Sequence, residues 1–194
     1  MHITKAAIVA FAMLVPATLA HAGDKLTNRR ATTRTPVTRT QLLSVLRDSH
    51  QSVFGFLPTT QRLAMAWAQV ALENGQGKYV YDNNVGNVAP YRADQPFYIV
   101  NKNTKYRAFD TLEEGAGEYW HVVGGCKGAL AAFDAGQPST ASQRLQKCGY
   151  FEADIEPYTN GMKSLYNEAV NHVVQEEKRE QEELMADDAD DTCD

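Results

Sequence analysis

Histidine, cysteine and tryptophan are scarce in this sequence, with five, three and two residues among 194. The histidines (His2, His21, His50, His121 and His172) are scattered without metal-ligand spacing, so neither a metal site nor a cofactor is expected. There is no phosphate-cradling P-loop, no dinucleotide fingerprint and no strong basic–aromatic patch, which argues against nucleotide or nucleic acid as partner. Beyond residue 22 no apolar stretch is long enough to cross a bilayer, so no stable membrane insertion is expected.

The exception lies at the start. Lys5 precedes an uncharged run from Ala6 to Leu19, and Ala20-His21-Ala22 fits a small-x-small cleavage pattern. Residues 1–22 are expected to be a secretory signal, and the protein to be exported, periplasmic or secreted. The run is short for a membrane anchor, and no cysteine stands at the cleavage point to carry lipid. In an oxidising compartment Cys126 and Cys148, which flank a helical stretch, are expected to pair, leaving Cys193 free or bonded between chains. The competing idea, Cys126 as nucleophile with His121 as base, lacks a third group to orient the histidine.

Charge is unevenly placed. The chain is −5 overall, yet residues 176–194 alone hold ten acids against Lys178 and Arg179. With the signal removed, the body from 23 to 175 is +2 and the tail −8. A mildly basic body suits an anionic polymer such as a bacterial cell wall, and the tail could serve a protein partner; a solvated, frayed helix end is the plainer account of the tail.

Residues 23–38 are polar, Thr/Arg-rich and aperiodic, and read as a flexible leader. Thr38 and Gln41 have the capping-box spacing before a helix at about 39–53, and Thr59 or Thr60 caps a second at about 60–74. The second helix is apolar almost all round and should be the buried centre of the domain. A Gly/Asn/Asp-rich loop follows, then PFYIVNKNTKYRAF, which has the pattern of a β-hairpin. Asp110 with Glu113 is expected to open the next helix, two short helices follow near 128–135 and 139–148, and Asp154 and Pro157 start the last. The expectation is an α+β fold, mostly helical, with a small β-hairpin lobe: one domain over 39–175 and an acidic tail over 176–194.

One residue stands out. In residues 64–78, AMAWAQVALENGQGK, a single carboxylate, Glu73, ends the most apolar helix. The helix dipole opposes negative charge at a C-terminus and burial adds a desolvation cost. Both favour the protonated acid, the state a general acid needs near neutral pH. A solvated helix end is the alternative.

The order of motifs bears on that choice. ALENGQGK, DNNVGNV, a hairpin, KYRAFDTLEEGAGEYWHVV and GYFEADIEPYTNGMKSLYNEA follow one another around Glu73. This succession resembles the glucosaminidase family of peptidoglycan hydrolases, within the lysozyme-like superfamily, over about residues 40–172. The resemblance implies a lysozyme-like domain that cleaves β-1,4 bonds between N-acetylglucosamine and N-acetylmuramic acid, with peptidoglycan glycan strands as substrate. Glu73 matches the family's acid. Asn84 and Gly86 match the loop shaping the cleft, Tyr106, Arg107 and Phe109 the strand-to-helix junction, and Tyr158 a tyrosine opening the last helix. Tyr158 is equally readable as a core aromatic on that helix.

Three departures stand out. Asn74 replaces Ser or Thr after the acid, Val85 replaces a loop aromatic that could stack on a sugar, and residues 151–156 stand where the family has a shorter link. Glycoside hydrolysis commonly uses a second carboxylate. Asp94 is the first candidate and Asp82 the second, though either fits a solvated loop position. Without one, a lytic transglycosylase path, in which the substrate's own hydroxyl closes an anhydro ring, needs only Glu73. A wall-binding or assembly protein without turnover is the remaining alternative.

Overall fold

The computed structural model describes residues 28–100 and 104–190; the expected signal segment, residues 23–27 of the leader and Cys193 lie outside them. Helix α1 (Arg39–Phe54) opens with the expected capping box: the Gln41 N–H donates to Thr38 Oγ1 at 3.2 Å and the Thr38 N–H to Gln41 Oε1 at 2.9 Å. Helix α2 (Thr60–Asn74), capped by Thr59, is buried from Leu63 to Ala71. It packs against α1, against α4 (Ala129–Asp134) and most extensively against α6 (Ile155–Asp190). A continuous apolar surface suits a helix enclosed on all sides, and Trp67 at its middle is fully buried.

Strands β1 (Phe97–Ile99) and β2 (Lys105–Arg107) pair antiparallel, with Tyr98 opposite Tyr106. Helix α3 (Leu112–Gly125) lies across α1, and the two are tied by the Trp120 indole N–H donating to Leu46 O at 2.8 Å. Its N-cap is Thr111, which accepts from the Glu114 N–H, one residue past the expected Asp110; a β-branched hydroxyl at that extended position serves equally well. Helix α5 (Pro138–Lys147) begins on its proline. The Cys126–Cys148 disulfide joins the residue after α3 to the residue after α5, with Cα atoms 5.5 Å apart. Cys126 is therefore no thiolate nucleophile, and the pairing with His121 falls away.

The leader is a larger correction. Residues 28–37 are not a free linker but lie along the β-lobe. The Phe97 N–H donates to Asn28 O at 2.9 Å and the Arg30 N–H to Phe97 O at 2.8 Å, so this segment fills the open edge of a two-stranded sheet. Further on, the Asp82 N–H donates to Thr33 O at 2.8 Å, and Arg30 pairs with Asp110 at 2.6 Å. Its lack of periodicity follows from pairing at isolated points rather than in a regular ladder. At the other end α6 runs unbroken to Asp190 although, among the residues whose burial is described, Val173 is the last fully buried one on the apolar stripe. Past that point polar pairs carry the helix: the Thr60 hydroxyl donates to Glu177 at 3.1 Å, and Lys178 faces Glu182 at 3.6 Å. No helix among the described residues is long and apolar enough to cross a membrane.

Candidate active site

Helix α2 ends because Gly75 adopts the left-handed conformation (φ 63°, ψ 46°), which closes the helix one residue after Asn74. Asn74 is fully buried and does local work: its Nδ2 donates to Val85 O at 2.9 Å and its Oδ1 accepts from the Gly77 N–H at 2.7 Å. The residue after the acid thus clamps the helix end to the 82–88 loop. Asp82, Asn83 and Asn87 of that loop have positive φ, which Asn and Asp tolerate best among residues with a side chain.

Glu73 is thereby fixed in the wall of a cleft of about 770 Å³ that runs between the β-lobe and the link from α5 to α6. Its carboxyl is pushed above the ordinary range, chiefly because burial penalises the charged form. Hydrogen bonding to Tyr158, Asn87 and Gln69, in that order, acts in the opposite direction without cancelling the rise. The Tyr158 hydroxyl donates to Glu73 Oε1 at 2.8 Å, and the buried Gln69 Nε2 donates to that hydroxyl at 3.3 Å. Asn87 Nδ2 holds the Glu73 main-chain carbonyl at 2.8 Å. With Oε1 occupied by the tyrosine, Oε2 is the oxygen that can carry a transferable proton.

Tyr158 itself is forced to remain a neutral donor, since burial and then the adjacent Glu73 raise its pKa. Removing this donor takes away a bond that favours the carboxylate, so Tyr158→Phe should raise the Glu73 pKa further. The alkaline limb of any activity that needs protonated Glu73 should then move to higher pH, with a loss of rate of about tenfold from poorer orientation. Rate against pH for both proteins checks this; an unmoved limb would contradict the assigned donor.

The sequence candidates separate in space. Tyr158 and Glu73 meet in the cleft wall, on α6 and α2. Asn84 and Gly86 lie beneath it. Asn84 is fully buried, donating to Val88 O at 2.9 Å and Arg107 O at 3.0 Å, and so ties the loop to β2. Gly86 sits where a Cβ would come within 2.7 Å of the Tyr119 ring, and its carbonyl accepts from the Tyr150 hydroxyl at 2.5 Å. Both shape the floor without lining the cleft. Asp94 is outside it, largely exposed and paired with Arg92 at 3.3 Å. Asp82 is buried and accepts from the Thr33 N–H at 3.2 Å, tying the N-terminal segment down. Val85 is fully buried, so the position of the missing loop aromatic belongs here to the core.

Other residues reach the cleft that the sequence had not placed there: Tyr106 was read as part of the strand-to-helix junction, and Phe151 and Glu152 only as part of a longer link. Thr104, Lys105 and Tyr106 line it from the β-lobe, and Tyr150, Phe151 and Glu152 from the link. Glu152 is the other carboxylate among the described lining residues. Gln69 had left a signal: it is the one polar residue in the apolar middle of α2, four positions before Glu73 and so on the same face. For the link the sequence showed extra length over residues 151–156 but not that it reaches the cleft, because a loop's direction is not written in its periodicity.

No family model matches the chain, and no curated protein matches it. Among solved structures, the glycoside hydrolase domain of FlgJ from Salmonella typhimurium is similar at TM-score 0.53 and 18% identity, over 77% of this chain and 99% of that one. A peptidoglycan hydrolase from Sphingomonas sp. A1 is similar at TM-score 0.52 and 19% identity, over 69% of this chain and 88% of that one. The likeness is one of fold: a mostly helical α+β domain with a small two-stranded lobe.

Proposed function

We propose that the protein is an exported peptidoglycan hydrolase that cuts β-1,4 glycosidic bonds between N-acetylglucosamine and N-acetylmuramic acid, with Glu73 as general acid. The observation that carries this is Glu73 itself: a buried carboxyl whose pKa burial raises, oriented by Tyr158, in the wall of an open cleft. The motif order around it and the fold shared with a glycoside hydrolase domain and a peptidoglycan hydrolase support the substrate class.

In this reading Glu73 gives its proton to the leaving glycosidic oxygen as the bond to the anomeric carbon breaks. The resulting carboxylate then takes a proton from the group that attacks that carbon. Asp94, the first sequence candidate for an opposing carboxylate, lies outside the cleft, and residues 101–103 of the hairpin contain no acid. The β-lobe wall offers the hydroxyls of Thr104 and Tyr106 and the ammonium of Lys105 instead, and the other lining carboxylate, Glu152, stands on the link from α5 to α6 and not on that wall. This favours a second reading, the single-acid transglycosylase route, in which the sugar's own hydroxyl attacks and no water is consumed.

Purified protein incubated with peptidoglycan should lower the turbidity of the suspension and release soluble muropeptides. Mass spectrometry of their ends then assigns the reaction. Reducing N-acetylglucosamine ends indicate a glucosaminidase, reducing N-acetylmuramic ends a muramidase, and anhydro ends the transglycosylase. Absence of any released fragment would leave only a wall-binding role.

A further inference from the structure

The link between α5 and α6 carries the feature that neither the motif pattern nor the acid accounts for. Phe151 stacks face to face on Tyr158, with ring centroids 3.6 Å apart and planes 11° apart. Its ring is only partly buried and lines the cleft, with one face covered by Tyr158. Glu152, next in sequence, is exposed and lines the same cleft. The Cys126–Cys148 disulfide anchors the start of this link. Gln146 Nε2 holds its far side by donating to Ala153 O at 3.0 Å. A flat apolar ring beside an acceptor-only carboxylate is what a pyranose offers partners for, with its C–H face on the ring and its hydroxyls or amide N–H on the carboxylate.

We propose that Phe151 and Glu152 form a sugar subsite that seats one N-acetylated pyranose of the glycan beside Glu73. The proposal rests on the glycan-cleaving reading above. Contacts run from Glu73 to Tyr158 and from Tyr158 to Phe151, so the seated sugar lies next to the bond that Glu73 would protonate. The subsite stands on the link that is longer than in the resembling family, and it supplies the aromatic face that Val85, buried in the core, does not. It is a specificity determinant, since a smooth polysaccharide lacking the acetamido group would forgo the bond to Glu152.

Calorimetric titration of tetra-N-acetylchitotetraose into the Glu73→Gln protein, which holds the ligand without turnover, tests it. Phe151→Leu keeps apolar bulk against Tyr158 but removes the flat face, and should weaken binding by about tenfold, or 1.4 kcal/mol. Phe151→Trp should bind at least as tightly as the parent, and Glu152→Gln should weaken binding by a smaller factor. Thermal melting of each variant reports whether the link has kept its fold. Parent-like affinity in folded Phe151→Leu overturns the subsite while leaving the glycan-cleaving reading intact. A parent that binds neither the oligomer nor peptidoglycan removes both.

Discussion

Glu73→Gln is expected to reduce release of glycan fragments by roughly 10²–10⁴-fold, the range a positioned general acid contributes. The amide keeps the shape of the side chain and can still accept from Tyr158, so the fold should survive. The pH dependence sharpens the test. Burial raises the Glu73 pKa in the folded protein, so the native state holds a proton that the unfolded chain has already released over the interval between the two values. Stability from this group is complete at acid pH, below the unfolded value, and is lost as pH rises through the raised folded value. Gln cannot ionise, so Glu73→Gln should melt higher than the parent at neutral pH, and the gap should close in acid. Activity in the parent should follow the same titration and fall on the alkaline side as the proton is lost. Undiminished fragment release by the Gln protein would sink the assignment. A melting gap that persists unchanged into acid would show that it does not come from ionisation of a buried Glu73.

Gly115→Ala should damage both stability and the site, although residue 115 does not line the cleft. Gly115 lies in α3, buried, and a Cβ there would stand 1.9 Å from the Asn83 carbonyl oxygen and 3.3 Å from Phe109 Cδ2. A backbone carbonyl cannot rotate aside as a side chain can. Asn83 is also fixed by two bonds, from its Nδ2 to Phe109 O at 3.0 Å and to Asp110 O at 2.9 Å. Relief therefore requires the loop to move, and Asn87, four residues on, holds the Glu73 carbonyl. Overpacking of this kind costs about 2–3 kcal/mol. In a domain of this size that is roughly 5–10 °C in melting temperature. Fragment release should fall with it even below the melting transition, because the loop behind the acid has shifted. Gly117→Ala is the control: its nearest neighbour would be Val53 Cγ2 at 3.9 Å, and alanine favours the helix. Scanning calorimetry on the two variants decides the point, and equal melting temperatures would rule out the close approach as the reason for glycine at 115.

Much of this could be read without coordinates, because it depends on periodicity and end chemistry that act locally. Helix α2 was legible from a run of apolar residues bounded by Thr59 and Gly75, and the acid at its end from the mismatch of a carboxylate with an apolar helix C-terminus. The hairpin, the capping box at Thr38 and Gln41 and the Cys126–Cys148 pair belong to the same class. Each needs only neighbours in sequence or a small set of possible partners.

What the tertiary structure alone decided is which side chains converge. Asp94 and Glu152 are both loop carboxylates, and nothing local distinguishes them; only the path of each loop leaves one on the outer surface with Arg92 and brings the other to the cleft. Tyr158 and Gln69 are 89 residues apart, and the bond between them exists because α6 packs along α2. Val85 and residues 28–37 make the same point: the first was read as a cleft position and is core, the second as a free leader and is an edge of the β-lobe. Sequence thus determined the elements and the place of Glu73 at the end of a buried helix, through forces that act within a few residues. The partners of that acid were set by long-range packing, which fixes directions that no local pattern encodes.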